Sequence, residues 1–198
     1  MKRLCLYVEP DKCQNRYNKP SGIDLSFKGN SLEGIIHYLT VQCGGNVHDR
    51  GVVEITGGPV YSSHPDYALK NIADLTADSY FASDDDTEQH TVCYDFKEKR
   101  IIPSGYSIRS CYCGGRGAGN IQSWVIETSN DGSSWTEIDQ KQDCRELDDG
   151  NVTKMYNVNT SSSCRYIRLR QTGPGTSSSC PNGIGLSGFE IFGTLLGP

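Results

Sequence analysis

The sequence predicts an all-β protein, an antiparallel β-sandwich over residues 51–198, preceded by an N-terminal extension, residues 1–50, with one amphipathic helix. From Val52 onward, short runs of β-branched and aromatic residues are separated by Gly, Asn, Asp, Ser and Pro. A strong turn signal joins two of these runs as a hairpin. An apolar pattern of helical period occurs in the extension, and almost no further helix is predicted after it.

The helix is predicted at residues 31–43. Asn30 and Glu33 have the spacing of a capping box, in which each side chain bonds a backbone amide near the other. Gly44-Gly45 provides a left-handed stop. The apolar residues that share one face of this helix are Leu32, Ile35, Ile36 and Leu39. We expect that face to pack on the sandwich.

Short strands account for most of the remaining chain. The predicted strands are residues 51–56, 91–96, 105–110, 122–129, 134–138, 152–157, 164–171 and 185–193. The segment Ser129-Asn130-Asp131-Gly132 predicts a hairpin turn, because Asn, Asp and Gly tolerate positive φ. Eight strands with almost no further helix indicate an antiparallel sandwich.

Charge and hydropathy exclude two classes of partner. The 19 basic and 24 acidic residues give a formal net charge of -5, and no run of five like charges occurs. This excludes nucleic acid, because phosphate binding needs a concentrated basic face. The apolar run near Met1 is too short for a signal peptide or a membrane span. With Met1 as the native start, we expect no membrane insertion and a cytoplasmic protein, in one version associated with the cytoskeleton.

The nine cysteines are an odd number and are unevenly spaced. In a cytoplasmic protein this favours mostly reduced thiols over a disulfide framework. Only Cys111 and Cys113 are close together, and a second C-x-x-C motif is missing. A zinc site formed by Cys111, Cys113 and Cys180 is the alternative.

No motif nominates a catalytic residue. None of the four histidines lies in an H-E-x-x-H motif. The glycine-rich segment 114–119 lacks the ending of a phosphate-binding loop and precedes a strand rather than a helix. We therefore expect a binding module and not an enzyme.

Four segments resemble the discoidin, or factor V/VIII (F5/8) type C, domain. They are Trp124–Trp135, Asn71–Phe81, Arg165–Leu169 and Leu186–Gly193. The resemblance implies a galactose-binding-like jelly-roll sandwich over about residues 52–195. It also implies that Trp124 and Trp135 occupy the core or pack at a sheet edge rather than bind ligand, and that Arg168 pairs with its neighbours in the sheet.

Two further resemblances concern the kind of discoidin domain. Residues 94–97 and 102–110 are similar to the intracellular branch of this fold, found beside BTB domains and akin to domains of ubiquitin-ligase subunits. Residues 27–40 and 44–51 are similar to the lead-in of many trichomonad proteins with a type C domain. The helix would then be a family feature.

The resemblance implies a structural Ca²⁺ in the first loop. The matching positions are the Ala73 carbonyl, Asp74, Thr76, Ser79 and Glu190. Two carboxylates among six to eight oxygens suit calcium. Because Thr76 and Leu75 depart from the family pattern, an empty loop held by hydrogen bonds is the alternative.

The resemblance places the ligand-binding loops at residues 57–69, 82–90, 111–120 and 172–184. Their aromatic and polar side chains form the predicted ligand site, Tyr61, His64, Tyr67, His90, Tyr112, Arg116 and Asn120. Such residues suit either a protein partner or a carbohydrate. Our leading expectation is an intracellular module that docks a protein partner, in one version a structural component of a cytoskeletal or axonemal assembly. The alternative is a carbohydrate-binding, lectin-like module.

Overall fold

The computed structural model describes residues 22–61, 65–75, 80–83, 90–112, 119–178 and 181–197. These residues contain ten strands, one α-helix and two short 3₁₀ helices, Pro65–Tyr67 and Leu69–Ala73. The helix α1 is Ile35–Cys43. The strands are β1 Gly22–Leu25, β2 Glu54–Gly57, β3 Phe81–Ala82, β4 Thr91–Asp95, β5 Arg100–Ser110, β6 Trp124–Ser129, β7 Thr136–Lys141, β8 Thr153–Asn157, β9 Tyr166–Gln171 and β10 Gly185–Leu196.

Two antiparallel sheets form the sandwich, which confirms the predicted fold class. One sheet has the order β1-β10-β5-β8, with the two-residue β3 also paired to β10, and the other has the order β2-β4-β9-β6-β7. The eight predicted strands are all present with shifted ends. The additional strands are β1 and β3, both short.

The alternating sequence of β9 shows how the core is built. Ile167 and Leu169 are buried, whereas Arg168 and Arg170 lie on the outer face, as the two-residue period of a strand requires. The indole of Trp124 is fully buried, as expected. Its Nε1–H donates to the Tyr106 hydroxyl at 3.0 Å, so the polar atom of this large side chain is satisfied inside the core.

The hairpin between β6 and β7 has the predicted turn. Gly132 has a φ of 73°, and the Asp131 carboxylate accepts the backbone N–H groups of Ser133 and Ser134 at 2.8 and 2.7 Å. These backbone hydrogen bonds hold the pKa of Asp131 far below its ordinary value.

The helix begins four residues later than predicted, and the capping box at its start was wrong. Asn30 instead accepts the N–H of Leu32 at 3.1 Å, and the N-cap residue is Gly34, which has no side chain to offer. The predicted stop is confirmed, since Gly44 adopts the left-handed conformation with a φ of 67°.

The cap of α1 comes from the opposite end of the chain. The Glu190 carboxylate in β10 accepts the N–H groups of Ile36 at 2.8 Å and His37 at 2.9 Å. Gly34 permits this approach, because a Cβ there would lie 2.3 Å from the Ile191 carbonyl oxygen. The helix thus packs its start directly on the sheet, with Ile35 fully buried.

The prediction that the cysteines are mostly reduced thiols is only partly confirmed among the described residues. Cys43, Cys93, Cys144 and Cys164 are free thiols, and burial raises the pKa of Cys93 and of Cys164 to about 12. Cys111, in contrast, is disulfide-bonded. A sulfur in a disulfide is not a thiolate ligand, so the zinc alternative that used Cys111 was wrong. Cys113 and Cys180 lie outside the described residues.

Candidate functional site

A cavity of about 280 Å³ opens at the end of the sandwich where β5 ends and β10 begins. We call this end the loop end and the cavity the tyrosine pocket. Its lining residues are Tyr61, Tyr67, Tyr80, Ala82, Ser83, Gly119, Ser177, Gly183, Ile184 and Gly185. Three phenol rings thus converge on one depression among small residues.

The three tyrosines pack against one another edge to face. The ring centroids of Tyr61 and Tyr67 are 6.1 Å apart at 90°, and those of Tyr67 and Tyr80 are 5.3 Å apart at 66°. Such T-shaped pairs fix ring orientation. Tyr61 is the outermost, with 62% of its surface exposed. The pocket therefore presents an accessible aromatic surface held by a second and a third ring.

Tyr80 is neutral at physiological pH. Burial, aided by its hydrogen bond to Tyr67, raises the pKa of Tyr80 to about 12. A neutral phenol can both donate and accept a hydrogen bond. The pocket thus offers hydroxyl groups without a fixed charge.

Hydrogen bonds connect the segments that line the pocket. The Ser83 Oγ accepts the Ile184 N–H at 2.8 Å, and the Tyr61 N–H donates to the Ala82 carbonyl at 2.9 Å. Gly185 permits the close packing beneath, because a Cβ there would lie 2.7 Å from the Cys111 sulfur. The pocket is therefore formed by the fold itself before any ligand binds.

The structure brings together only part of the predicted ligand set. Tyr61 and Tyr67 both line the tyrosine pocket. Tyr112 is 58% exposed but is not among the residues that line it, and His90 is half-buried with its Nδ1 lacking a partner among the described residues. His64 and Arg116 lie outside the described residues.

Asn120 has a structural role instead of the predicted contact with ligand. It is fully buried, and its Oδ1 accepts the Cys111 N–H at 2.9 Å. Its Nδ2 lies 3.5 and 3.4 Å from the carbonyl oxygens of Asp148 and Asp149. The hydrogen bonds of the Asn120 side chain therefore connect loops to one another.

Tyr80 lines the tyrosine pocket but is not among the ligand residues predicted from the sequence. It directly precedes the fully buried Phe81 of β3. Because side chains alternate along a strand, a buried Phe81 directs Tyr80 to the other side. That alternation was the available signal, but a two-residue strand is too short to recognise from its pattern.

The described residues give Glu190 a different role from the predicted calcium ligand. Its carboxylate is fully buried and accepts the N–H groups of Ile36, His37 and Ile191, the last at 2.7 Å. Burial raises the pKa of Glu190 to about 7, although these backbone donors act to lower it. Because both carboxylate oxygens already accept N–H groups of α1, Glu190 does not fit the role of a calcium ligand in the first loop.

The remaining calcium ligands stay a prediction. Ala73 is buried at the end of a 3₁₀ helix, and Asp74 follows it, half-buried. Thr76 and Ser79 lie outside the described residues. In the described part of the chain, no group of three His, Cys, Asp or Glu side chains could hold a metal ion.

The outer face of the second sheet carries an ion-pair cluster. Glu127 accepts the Nε–H of Arg168 at 2.8 Å and of Arg170 at 3.1 Å. The Arg168 guanidinium also lies 3.8 Å from the centre of the Trp135 ring. Arg168 thus pairs with sheet neighbours, and half-buried Trp135 is covered by it.

Comparison with known proteins identifies the fold family. The model of the F5/8 type C domain matches residues 59–186, more than half of the chain. The chain belongs to the F5/8 type C domain family. Such domains are typically non-catalytic binding modules. The family resemblance is confirmed, while its intracellular, trichomonad kind stays a prediction.

Several solved structures share the F5/8 type C fold of this chain. CpGH89CBM32-5 from Clostridium perfringens, in complex with GalNAc-β-1,3-galactose, is 15% identical with a TM-score of 0.53, covering 72% of this chain and 96% of that one. The family 32 carbohydrate-binding module (CBM) of C. perfringens NanJ, in complex with galactose, is 10% identical with a TM-score of 0.54, covering 72% and 94%. Chitosan-binding module 1 of a Paenibacillus sp. IK-5 chitosanase/glucanase is 16% identical with a TM-score of 0.52, covering 72% and 96%.

One curated relative shows a closer match in sequence. The Drosophila melanogaster E3 ubiquitin-protein ligase Ufd4 is 33% identical over an alignment of 101 residues, gaps included, that covers 49% of this F5/8 type C chain. The chain spans only 4% of the length of that ligase. Separately, none of the helices in the described ranges is long and apolar enough to cross a membrane.

Proposed function

We propose that this F5/8 type C domain is a carbohydrate-binding module and that the tyrosine pocket holds one sugar ring. The convergence of Tyr61, Tyr67 and Tyr80 on one cavity carries the proposal. Aromatic rings supply a large flat apolar surface together with a polar hydroxyl. The C–H face of a pyranose ring is apolar and its rim carries hydroxyls, so it matches both features.

The size and chemistry of the tyrosine pocket fit a single sugar unit. Pockets for drug-sized ligands are about 300–1,000 Å³, and the cavity of about 280 Å³ lies just below that range. The Tyr80 phenol, Ser177 and the backbone near Gly119 and Gly183 border it. These groups can serve hydroxyl donors and acceptors and carry no charge, which favours a neutral sugar.

The structural neighbours support a sugar ligand. Two of them hold galactose or GalNAc-β-1,3-galactose, and a third is a chitosan-binding module. The proposal for this chain depends on the pocket, because these neighbours share its fold at low sequence identity.

A matched pair of exposed tyrosines tests the proposal. Tyr61 lines the pocket and Tyr112 does not, although their exposures of 62% and 58% are nearly equal. After a glycan array selects a ligand, calorimetry compares Tyr61→Ala and Tyr112→Ala with the wild type. We expect Tyr61→Ala to lose about 1–2 kcal/mol of binding free energy, which raises Kd about 5- to 30-fold. Tyr112→Ala should change Kd by less than about twofold.

Two results would contradict carbohydrate binding at the tyrosine pocket. One is an array on which the wild-type protein binds no glycan, followed by no heat of binding with galactose or GalNAc at millimolar concentrations. The other is a glycan whose affinity falls equally in both tyrosine variants, since that would place the site elsewhere.

Protein docking is a second candidate, favoured by the match to the ligase Ufd4. The same tyrosines can anchor a protein partner, because interface hot spots are rich in Tyr and Arg. A competition experiment distinguishes protein docking from carbohydrate binding. A partner recovered with the wild-type chain, lost with Tyr61→Ala and retained in excess free sugar would support docking and contradict a sugar-specific pocket.

A further inference from the structure

A second cavity lies beside the tyrosine pocket at the loop end. It has a volume of about 470 Å³, and we call it the polar cleft. Its lining residues are Gln122, Arg145, Asp148, Asp149, Gly175 and Thr176. None of these residues belongs to the tyrosine pocket or to the ligand site predicted from the sequence.

The two cavities share a border at residues 175–177, a segment that we call the ridge. Thr176 borders the polar cleft, and the next residue, Ser177, borders the tyrosine pocket. Consecutive Cα atoms are about 3.8 Å apart. The cavities therefore adjoin one another at Thr176 and Ser177, as the binding sites for two linked sugar rings would.

Hydrogen bonds hold the ridge in place. The Thr176 N–H donates to the Asn120 carbonyl at 2.9 Å, and the Asn120 N–H donates back to the Thr176 Oγ1 at 3.1 Å. The Gly175 N–H donates to the Pro181 carbonyl at 2.7 Å. Asn120 also ties the ridge to the loop that carries Asp148 and Asp149. A ligand would thus meet two preformed surfaces joined by a segment that hydrogen bonds hold in place.

The polar cleft carries groups that suit sugar hydroxyls. Asp148 is held from both sides, by the Gln122 amide at 2.7 Å and by the Arg145 guanidinium at 3.6 Å. The side chain of Arg145 is 68% exposed, so most of its donors are open to solvent. Asp149 is also exposed. A guanidinium and carboxylates side by side can donate to and accept from neighbouring hydroxyls.

The charge of the polar cleft limits its ligands. Asp148 and Asp149 contribute two negative charges and Arg145 one positive charge, so the lining is formally -1. The whole chain is also negative, at -5. A uronic or sialic acid would meet like charge here, whereas a neutral sugar or a protonated amino sugar would not.

We propose that the polar cleft is a second sugar subsite, so that the ligand is an oligosaccharide of at least two units. One unit contacts the three tyrosines, and the adjoining unit, a neutral or amino sugar, hydrogen-bonds Arg145 and Asp149. This inference depends on carbohydrate binding at the tyrosine pocket. It adds that affinity rises with chain length and that acidic sugars are disfavoured at the second position.

The test compares disaccharides with their own monosaccharides. The probes are galactose, GalNAc and GalNAc-β-1,3-galactose, and glucosamine with its β-1,4 dimer, each titrated into the full chain by calorimetry. For at least one pair we expect the disaccharide to bind about fivefold or more tightly than either unit, which corresponds to one additional net hydrogen bond.

Variants of the polar cleft test whether the gain in disaccharide affinity comes from this cleft. Arg145→Ala and Asp149→Asn should reduce the disaccharide advantage to less than about twofold while leaving the monosaccharide affinity unchanged. Glu54→Gln, an exposed carboxylate at the start of β2, is the matched control and should keep the full advantage.

The outcomes distinguish the two proposals. A monosaccharide that binds with no gain from the second unit, or a gain that persists in Arg145→Ala and Asp149→Asn, would overturn the second subsite and leave the tyrosine pocket in place. A wild-type chain that binds none of these monosaccharides or disaccharides, and no glycan on the array, would overturn carbohydrate binding itself.

Discussion

The buried Glu190 offers the sharpest test of how the N-terminal extension is attached. Its carboxylate lies in β10 and accepts the first free N–H groups of α1, from Ile36 and His37, together with that of Ile191. The first N–H groups of a helix have no partner inside the helix. Replacing Glu190 should therefore loosen the helix from the sheet as well as remove a charge.

The structure gives the size of this effect. Glu190→Ala removes the acceptor of three N–H groups, those of buried Ile36 and Ile191 and of half-buried His37, and each buried group left unsatisfied costs about 1–3 kcal/mol. Because water can enter the space left by the side chain, we expect a total loss near the low end, about 3–5 kcal/mol. Glu190→Gln keeps one oxygen but turns an NH₂ donor toward N–H donors, for an expected loss of about 1–3 kcal/mol.

Urea unfolding followed by tryptophan fluorescence measures these losses. The buried Trp124 reports on the core, and pH 8 keeps the wild-type carboxyl charged, above its pKa of about 7. Glu54→Gln, exposed on β2, is the control and should change stability by less than about 0.5 kcal/mol. A loss below about 1 kcal/mol for Glu190→Ala would refute the capping role.

Three further predictions concern stability. Gly34→Ala should destabilise the fold by about 1–3 kcal/mol, because the added Cβ would lie 2.3 Å from a backbone oxygen of β10; an unchanged melting temperature would contradict that contact. Although burial acts to raise it, hydrogen bonds from Arg170 and Arg168 hold the pKa of Glu127 below its ordinary value of 4.5. The stability from this cluster is present above pH 4.5 and is lost as the pH falls through the folded-state pKa, so Glu127→Gln should flatten the acid side of a pH–stability curve. A fragment of residues 52–198 should lose cooperative unfolding, because α1 buries three aliphatic side chains worth about 5–9 kcal/mol; a proteolytic fragment with the melting temperature of the full chain would prove this wrong.

Local patterns predicted most of the sandwich. The eight main strands follow runs of β-branched and aromatic residues, and the turn at Asn130–Gly132 has residues that tolerate the required conformation. The end of α1 was predictable for the same reason, because the helix stops at Gly44 through the backbone conformation of that residue itself. These features depend on neighbours in sequence, which a single sequence displays.

The start of α1 and the details of the site depend on distant residues. The cap of α1 comes from Glu190, 154 residues from Ile36. Asn120 looked like a ligand contact because it is a polar residue in a binding loop, but contacts with Cys111 and Thr176 bury it. Which polar residue faces solvent and which one braces the loops is decided by tertiary packing.

The predicted ligand-binding loops stay a prediction, but two of the predicted ligand residues, Tyr61 and Tyr67, line one cavity. Tyr80 and the polar cleft were missed, because loops that are far apart in sequence form them together. Such convergence carries no local signal.

The most direct test of a carbohydrate site at the loop end is a nuclear magnetic resonance titration of the isotope-labelled chain with GalNAc-β-1,3-galactose. We predict saturating shifts for the backbone amides around Tyr61, Tyr80 and Ser83, with no change at the β6–β7 turn around Asp131, at the far end of the sandwich. Shifts confined to the outer face around Arg168, or no shifts at millimolar sugar, would contradict the account.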